Sequence, residues 1–154
     1  MIKITSAQTE EQYQCARELF LQYADSLGFD LEFQNFSREL TTLPGYYAPP
    51  EGCILLAEDS GHFAGCVALR PLKDNICEMK RLFVRSEYRG RGIGRMLACS
   101  VIDRARAIGY EKMRLDTIAT MKEARTLYYS LEFRNISAYR YNPIDDPSYM
   151  ELEL

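Results

Sequence analysis

Arg89-Gly90-Arg91-Gly92-Ile93-Gly94 stands between an apolar, strand-like run, Met79 to Val84, and a helical pattern that continues to Ile108. Glycines at such a junction let the backbone turn tightly and approach a ligand closely. The first N–H groups of a helix beginning here are free, point at one spot, and have the positive end of the helix dipole behind them. Pyrophosphate suits that arrangement. Arg89, Arg91 and Arg95 add fixed charge, and the planar guanidinium fork matches phosphate oxygens. The dinucleotide fingerprint G-x-G-x-x-G fails because Arg95 stands where its last glycine belongs, and the Gly-Lys-Ser/Thr of a P-loop is missing. Taken alone, the loop also reads as a flexible turn with solvated arginines.

On the N-terminal side, the pattern predicts a first strand at Ile2 to Thr5. A helix follows from Thr9 to Leu27, with Tyr13, Ala16, Leu19/Phe20, Tyr23 and Leu27 at helical spacing. Thr9 and Gln12 fit a capping box, and Gly28 a helix stop. Leu31 to Leu43 reads as a second, shorter helical stretch that Ser37 interrupts, and 43–52 as a loop. Cys53 to Glu58 and Phe63 to Leu69 read as strands joined by a hairpin turn at 59–62, and Ile76 to Val84 as another strand after the turn at 73–75. On the C-terminal side, Ile93, Leu97, Val101, Ala105 and Ile108 share one face of a helix that Gly109 ends. Lys112 to Thr117 then reads as strand, Met121 to Leu131 as helix, and Phe133 to Tyr141 and Tyr149 to Leu154 as strands around a turn at 142–147. Hairpin-linked strands mixed with strand–helix–strand crossovers imply a single α/β domain over 1–154, a mixed sheet with helices packed on its faces.

Hydrophobic residues make up 47% of 154 residues, enough for an ordinary core. A net charge of −3 argues against a general nucleic-acid binder, which needs an excess of Lys and Arg. No apolar run approaches a membrane span, and Met1-Ile2-Lys3-Ile4 leads directly into a strand pattern, unlike a signal peptide. Cys15, Cys53, Cys66, Cys77 and Cys99 are scattered and mostly in apolar contexts. They read as free thiols in a reducing cytoplasm. His62 is the only histidine, so a His-rich metal site is excluded and no metal is expected.

The Arg-x-x-Gly-x-Gly pattern at 89–94, directly after the strand Met79 to Val84, resembles the acetyl-coenzyme A signature of GNAT-type N-acetyltransferases. Ala124-Arg125-Thr126-Leu127-Tyr128-Tyr129-Ser130-Leu131-Glu132-Phe133 resembles a later segment of the same superfamily, in the same order and spacing. The resemblance implies a mostly antiparallel central sheet with helices on both faces and two neighbouring strands splayed apart around the cofactor. It implies that Arg89, Gly90, Arg91, Gly92, Ile93 and Gly94 hold the pyrophosphate of acetyl-coenzyme A. It also implies that the backbone of Leu82, Phe83 and Val84 pairs with the pantetheine arm.

Tyr128 occupies the position that donates a proton to the departing thiolate, with Tyr129 the competitor if the register shifts by one. Glu78 matches a position where some members hold a base acting through water. Its other reading is a strand carboxylate paired to Lys80 or Arg81. Substrate selection is expected from the first helical region and the C-terminal hairpin, with Tyr23, Phe29, Phe33, Tyr46, Tyr47, Tyr139 and Tyr141 as candidates. The implied activity is acetyl transfer to the primary amine of a small molecule, by direct attack in a ternary complex. The alternatives are a protein-modifying acetyltransferase and a non-catalytic coenzyme A-binding module. No cysteine has a histidine partner in sequence that marks it as a nucleophile. The resemblance, with the tyrosine-rich C-terminal segment, also implies a homodimer. Glu132 departs from the family's glycine and carries a strain cost if its φ is positive.

Overall fold

A computed structural model describes residues 1–28, 30–118, 120–144 and 147–154; the side chain of Phe33 also lies outside the description. Strand β1 (Ile2–Ser6) leads into helix α1 (Glu10–Leu27). The capping box forms: Gln12 N–H donates to the Thr9 hydroxyl at 3.2 Å, and Thr9 N–H donates to the Gln12 side chain at 3.0 Å. Helix α2 (Phe36–Thr41) precedes the hairpin strands β2 (Cys53–Asp59) and β3 (His62–Lys73), and β4 (Ile76–Val84) follows. Helix α3 (Ile93–Ile108) crosses to β5 (Lys112–Thr117), and α4 (Lys122–Ser130) leads to β6 (Arg134–Ile136) and β7 (Ser148–Glu153).

The strands form one seven-stranded sheet in the order β1-β2-β3-β4-β5-β7-β6, antiparallel except between β4 and β5. Both faces are covered, so alternate residues of one strand enter different cores. Cys53, Leu55 and Ala57 of β2 pack with Leu97, Ala98 and Val101 of α3. Ile54 and Leu56 pack on the other side with Ala16, Leu19 and Phe20 of α1.

Two features of β4 shape the centre. Its pairing with β5 covers only Ile76↔Lys112, Cys77↔Met113 and Glu78↔Arg114 among the described residues. Beyond Glu78 it runs on through Met79 to Val84 without β5, so the sheet opens there. On its other side a bulge breaks the register with β3 between Cys66↔Phe83 and Ala68↔Lys80. Arg81 sits in that bulge at φ +61°, a left-handed conformation that strains a residue with a Cβ by roughly 1–2 kcal/mol.

Two expected elements differ. The stretch from Leu31 to Leu43 is a 3-10 turn at Glu32–Gln34 and then α2, divided at Asn35 rather than at Ser37. Asn35 adopts φ +57°, which its short polar side chain tolerates, whereas Ser37 is helical and donates from both its N–H and its hydroxyl to Glu32. The strand expected from Phe133 to Tyr141 is paired only over Arg134–Ile136. Past Ile136 the chain leaves the sheet, and Tyr139 and Arg140 turn to the buried carboxylate of Glu78. A carboxylate out of water requires donors, and that requirement outweighs the β-propensity of the segment.

Candidate active site

The loop after β4 supplies the turn the glycines promised. Gly90 and Gly92 adopt φ +79° and +78°, and helix α3 starts at Ile93. The N-terminus of α1 is satisfied by its own Thr9 and carries Glu10 and Glu11 in its first turn. That of α3 has no side-chain cap and no acid there. Its free N–H groups face a cavity of about 750 Å³. Leu82, Phe83, Val84, Arg89, Gly90 and Gly92 line it, with Ile93 and Gly94 beside them. The volume falls within the range usual for ligand and cofactor sites. Arg91 is the exception among the expected loop residues. Its guanidinium pairs with Asp59 at 3.2 Å and stacks on Tyr88, so only its main chain serves the loop.

Next to this cavity lies a neck of about 40 Å³, and next to the neck a second cavity of about 220 Å³. Tyr23, Leu27, Leu82 and Met121 line both the large cavity and the neck. Gln34, Lys80 and Arg81 line both the neck and the small cavity. The neck, lined by Met79 to Leu82 of β4 and Leu115 to Thr117 of β5, thus lies at the opening between these strands, between the other two cavities.

Tyr128 and Asp116 line the neck. Tyr128 is buried at 5% exposure, its ring 5.7 Å from that of Phe133, and burial raises its phenol above the ordinary value. It therefore stays protonated at any working pH. Tyr129 points away: it is 49% exposed and hydrogen-bonds to Asn135. Glu132 takes φ +74°. The helix closes with backbone bonds from Glu132 N–H to Tyr129 O and from Phe133 N–H to Tyr128 O, the pattern of a Schellman cap. The departure from glycine therefore leaves the helix end, and Tyr128 with it, in place.

Glu78 is fully buried and is not among the residues lining these cavities. Its Oε2 accepts from the Tyr139 hydroxyl at 2.6 Å and from Arg140. Its Oε1 lies 3.7 Å from Arg70 Nε and 3.9 Å from Lys80 Nζ. Burial acts to raise its carboxyl, but Lys80 and then Arg140 hold it below the usual carboxylate range. Lys80 donates to Gln34 Oε1 at 3.1 Å. Burial pushes its ammonium down to about 8, against the upward pull of Glu78. Arg81 is bound through two hydrogen bonds, 2.8 and 2.9 Å, to the buried carboxylate of Glu39.

The expected tyrosines divide. Tyr23 lines the large cavity and the neck, whereas Tyr46 and Tyr141 line the small cavity. Tyr139 sits beneath the small cavity on Glu78, with its ring against Tyr149 at 5.3 Å. Tyr47 is core, 1% exposed and packed edge-on against Phe20. Phe29 lies outside the described residues, as does the Phe33 side chain. Among the described residues, no three His, Cys, Asp or Glu gather where they could hold a metal ion, and no helix is long and apolar enough to cross a membrane.

The sequence reading missed Arg70, Asp116 and Arg140, and the partnership of Arg81 with Glu39. One signal was present: β4 and β5 carry charges at alternate positions, Glu78/Lys80 and Lys112/Arg114/Asp116, between apolar residues such as Cys77, Met79, Met113 and Leu115. Register aligns them. Arg70, Glu78, Arg114 and Glu151 stand opposite one another across β3, β4, β5 and β7, so charge alternates along a row through the middle of the sheet.

An opened β4–β5 seam and a glycine loop at the start of a helix are the features of the N-acetyltransferase fold that the two sequence motifs implied. The model of the Acetyltransferase (GNAT) family matches residues 10–133, and the chain belongs to that family. An uncharacterised N-acetyltransferase of Schizosaccharomyces pombe is 38% identical over 99% of this chain and 95% of its own length. The N-acetylaspartate synthetase of Danio rerio is 32% identical, matching 80% of this chain and 42% of its own. Among solved structures, an acetyltransferase from Salmonella typhimurium with its cofactor acetyl-CoA superimposes with a TM-score of 0.72. It is 19% identical, and the match covers 99% of this chain and 94% of that one.

Proposed function

We propose that this protein transfers the acetyl group of acetyl-coenzyme A to the primary amine of a small molecule, by direct attack within a ternary complex. The observation that carries the reading is the row of three cavities with shared lining residues, from the Gly90–Gly94 loop, past Tyr128, to the small cavity. The loop amides and Arg89 hold the pyrophosphate. The pantetheine arm pairs with the backbone of Leu82, Phe83 and Val84, whose edge β5 has left free. The thioester then lies in the neck. The acceptor amine enters from the small cavity, whose 220 Å³ suits a small acceptor.

The nitrogen lone pair attacks the thioester carbonyl carbon, and the C–S bond breaks. The sulfur takes a proton from the Tyr128 hydroxyl, and the attacking nitrogen gives up its second proton, which restores that hydroxyl. The amine must first lose a proton. Asp116, which lines the neck with Tyr128, is better placed to receive it than Glu78. The Glu78 carboxylate is engaged by Tyr139 and Arg140 and held below the usual range, which makes it a weak base and a strong organiser of the cations around it.

Calorimetry with acetyl-coenzyme A on Gly92→Glu tests the loop assignment. The added carboxylate projects into the phosphate space and should weaken binding at least a hundredfold. Gly109→Glu places the same side chain on another left-handed glycine, φ +110°, at the far end of α3, and should leave affinity unchanged. Tight binding to a folded Gly92→Glu protein would reject the assignment.

A further inference from the structure

The chemistry of the small cavity selects its acceptor. Arg70, Lys80, Arg81 and Arg140 line it. Arg81 is neutralised by Glu39 through a two-pronged contact. The remaining cations, Arg70, Lys80 and Arg140, share one carboxylate, Glu78, which lies beneath them at 0% exposure. The cavity wall therefore carries more positive than negative charge in a partly desolvated place. Arg70 and Arg140 are pre-positioned: their guanidinium carbons lie 5.0 Å from the Tyr46 ring and 4.9 Å from the Tyr139 ring. Their side chains keep 27% and 22% of their surface exposed and line the cavity, so N–H donors remain beyond those that Arg140 gives to Glu78 and Arg70 to Pro71 O. In the neck Lys80 and Arg81 are joined by a carboxylate, Asp116, which lines it together with Tyr128. Along the path from small cavity to thioester, the excess of positive charge is thus greatest in the small cavity and is offset by Asp116 in the neck.

We infer that the acceptor is a small amine that also carries a carboxylate, an amino acid rather than a polyamine or a lysine side chain. Its carboxylate is held by Arg70 and Arg140, with Lys80 between them, and its ammonium is led to Asp116 in the neck. The inference rests on the acetyltransferase reading above and narrows it. Charge complementarity gives it direction: a guanidinium binds a carboxylate through paired hydrogen bonds, and a cationic wall repels a second ammonium. Glu78 acts as a positioning residue, fixing the cations from below. Tyr139 supports it through the 2.6 Å hydrogen bond to its Oε2.

The test is thiol release from acetyl-coenzyme A with the proteinogenic amino acids, their carboxamides, and spermidine. The best acceptors should carry a free carboxylate, and amidation should lower kcat/KM at least tenfold. Arg70→Gln should raise KM for the carboxylated acceptor about tenfold, leaving KM for its amide and the affinity for acetyl-coenzyme A unchanged. Arg70→Lys should recover part of the loss. Amides or spermidine equalling the carboxylated acceptors would overturn the inference and leave the acetyltransferase reading standing, as would an Arg70→Gln enzyme with unaltered KM. If Arg70→Gln does not fold, the matched acceptors on the unaltered protein decide alone. No thiol release with any amine, despite bound acetyl-coenzyme A, would sink the acetyltransferase reading and this inference with it.

Discussion

The role proposed for Tyr128 turns on one atom. Its ring packs against Phe133 and belongs to the core, while its hydroxyl lies in the wall of the neck. Tyr128→Phe keeps the ring and removes the proton. The expected result is a fall in kcat by about 10²-fold or more, with little change in acetyl-coenzyme A affinity, since the glycine loop is untouched. Tyr129→Phe loses only an exposed hydrogen bond to Asn135 and should be nearly silent. Kinetics with an acceptor for which chemistry limits turnover checks both, and full activity in Tyr128→Phe would return that residue to the core alone. The place of Tyr128 beside Phe133 was legible in the sequence because it depends on five residues of local spacing. Its neighbour Asp116 was not, because nothing near it in sequence says that β5 has parted from β4 there.

At the scale of elements, the ends of helices carry the information. The N-termini of α1 and α3 have opposite designs: one closed by Thr9 and its acids, the other open on a cavity. Both were readable, since capping depends on a few adjacent side chains. The end of α4 was half readable. Glu132 stands where a glycine is expected, and whether that mattered depended on its φ. The value of +74° places it in the left-handed region, held by backbone bonds that do not need its side chain. Glu132→Gly removes the Cβ strain and gives back part of that gain as chain entropy in the unfolded state. Urea unfolding should report a net stabilisation of about 0.5 kcal/mol. A destabilised variant would mean that the exposed Glu132 side chain contributes more than its backbone costs.

At the scale of the whole molecule, the Arg81–Glu39 pair joins parts distant in sequence. Glu39 comes from α2 and Arg81 from the bulge of β4, both about 5% exposed, and the guanidinium also lies 5.2 Å from the Phe36 ring. The two-pronged contact offsets the strain of a left-handed arginine, and it closes α2 over the passage. Glu39→Leu leaves a buried, unpaired cation and should cost about 3–5 kcal/mol. Glu39→Leu with Arg81→Met should recover most of that stability, because a matched apolar pair has no desolvation penalty. Denaturant unfolding of the two single variants and the double variant measures the coupling. Strictly additive losses would show that the residues do not act as a pair.

The sequence by itself determined what short stretches of chain enforce: the glycine loop before α3, the capping box of α1, the hairpin turns, the two-faced apolar alternation of the strands, and the family they add up to. These follow from backbone preferences and from periodicities that span a few residues. Only the tertiary structure decided which charged side chains meet in the middle of the sheet. Arg70, Glu78, Arg114 and Glu151 become neighbours through strand register, and Tyr139 and Arg140 leave an expected strand to reach Glu78. A carboxylate buried in the middle of a sheet draws its partners from wherever the fold can bring them, because leaving it unpaired costs more than any local preference contributes.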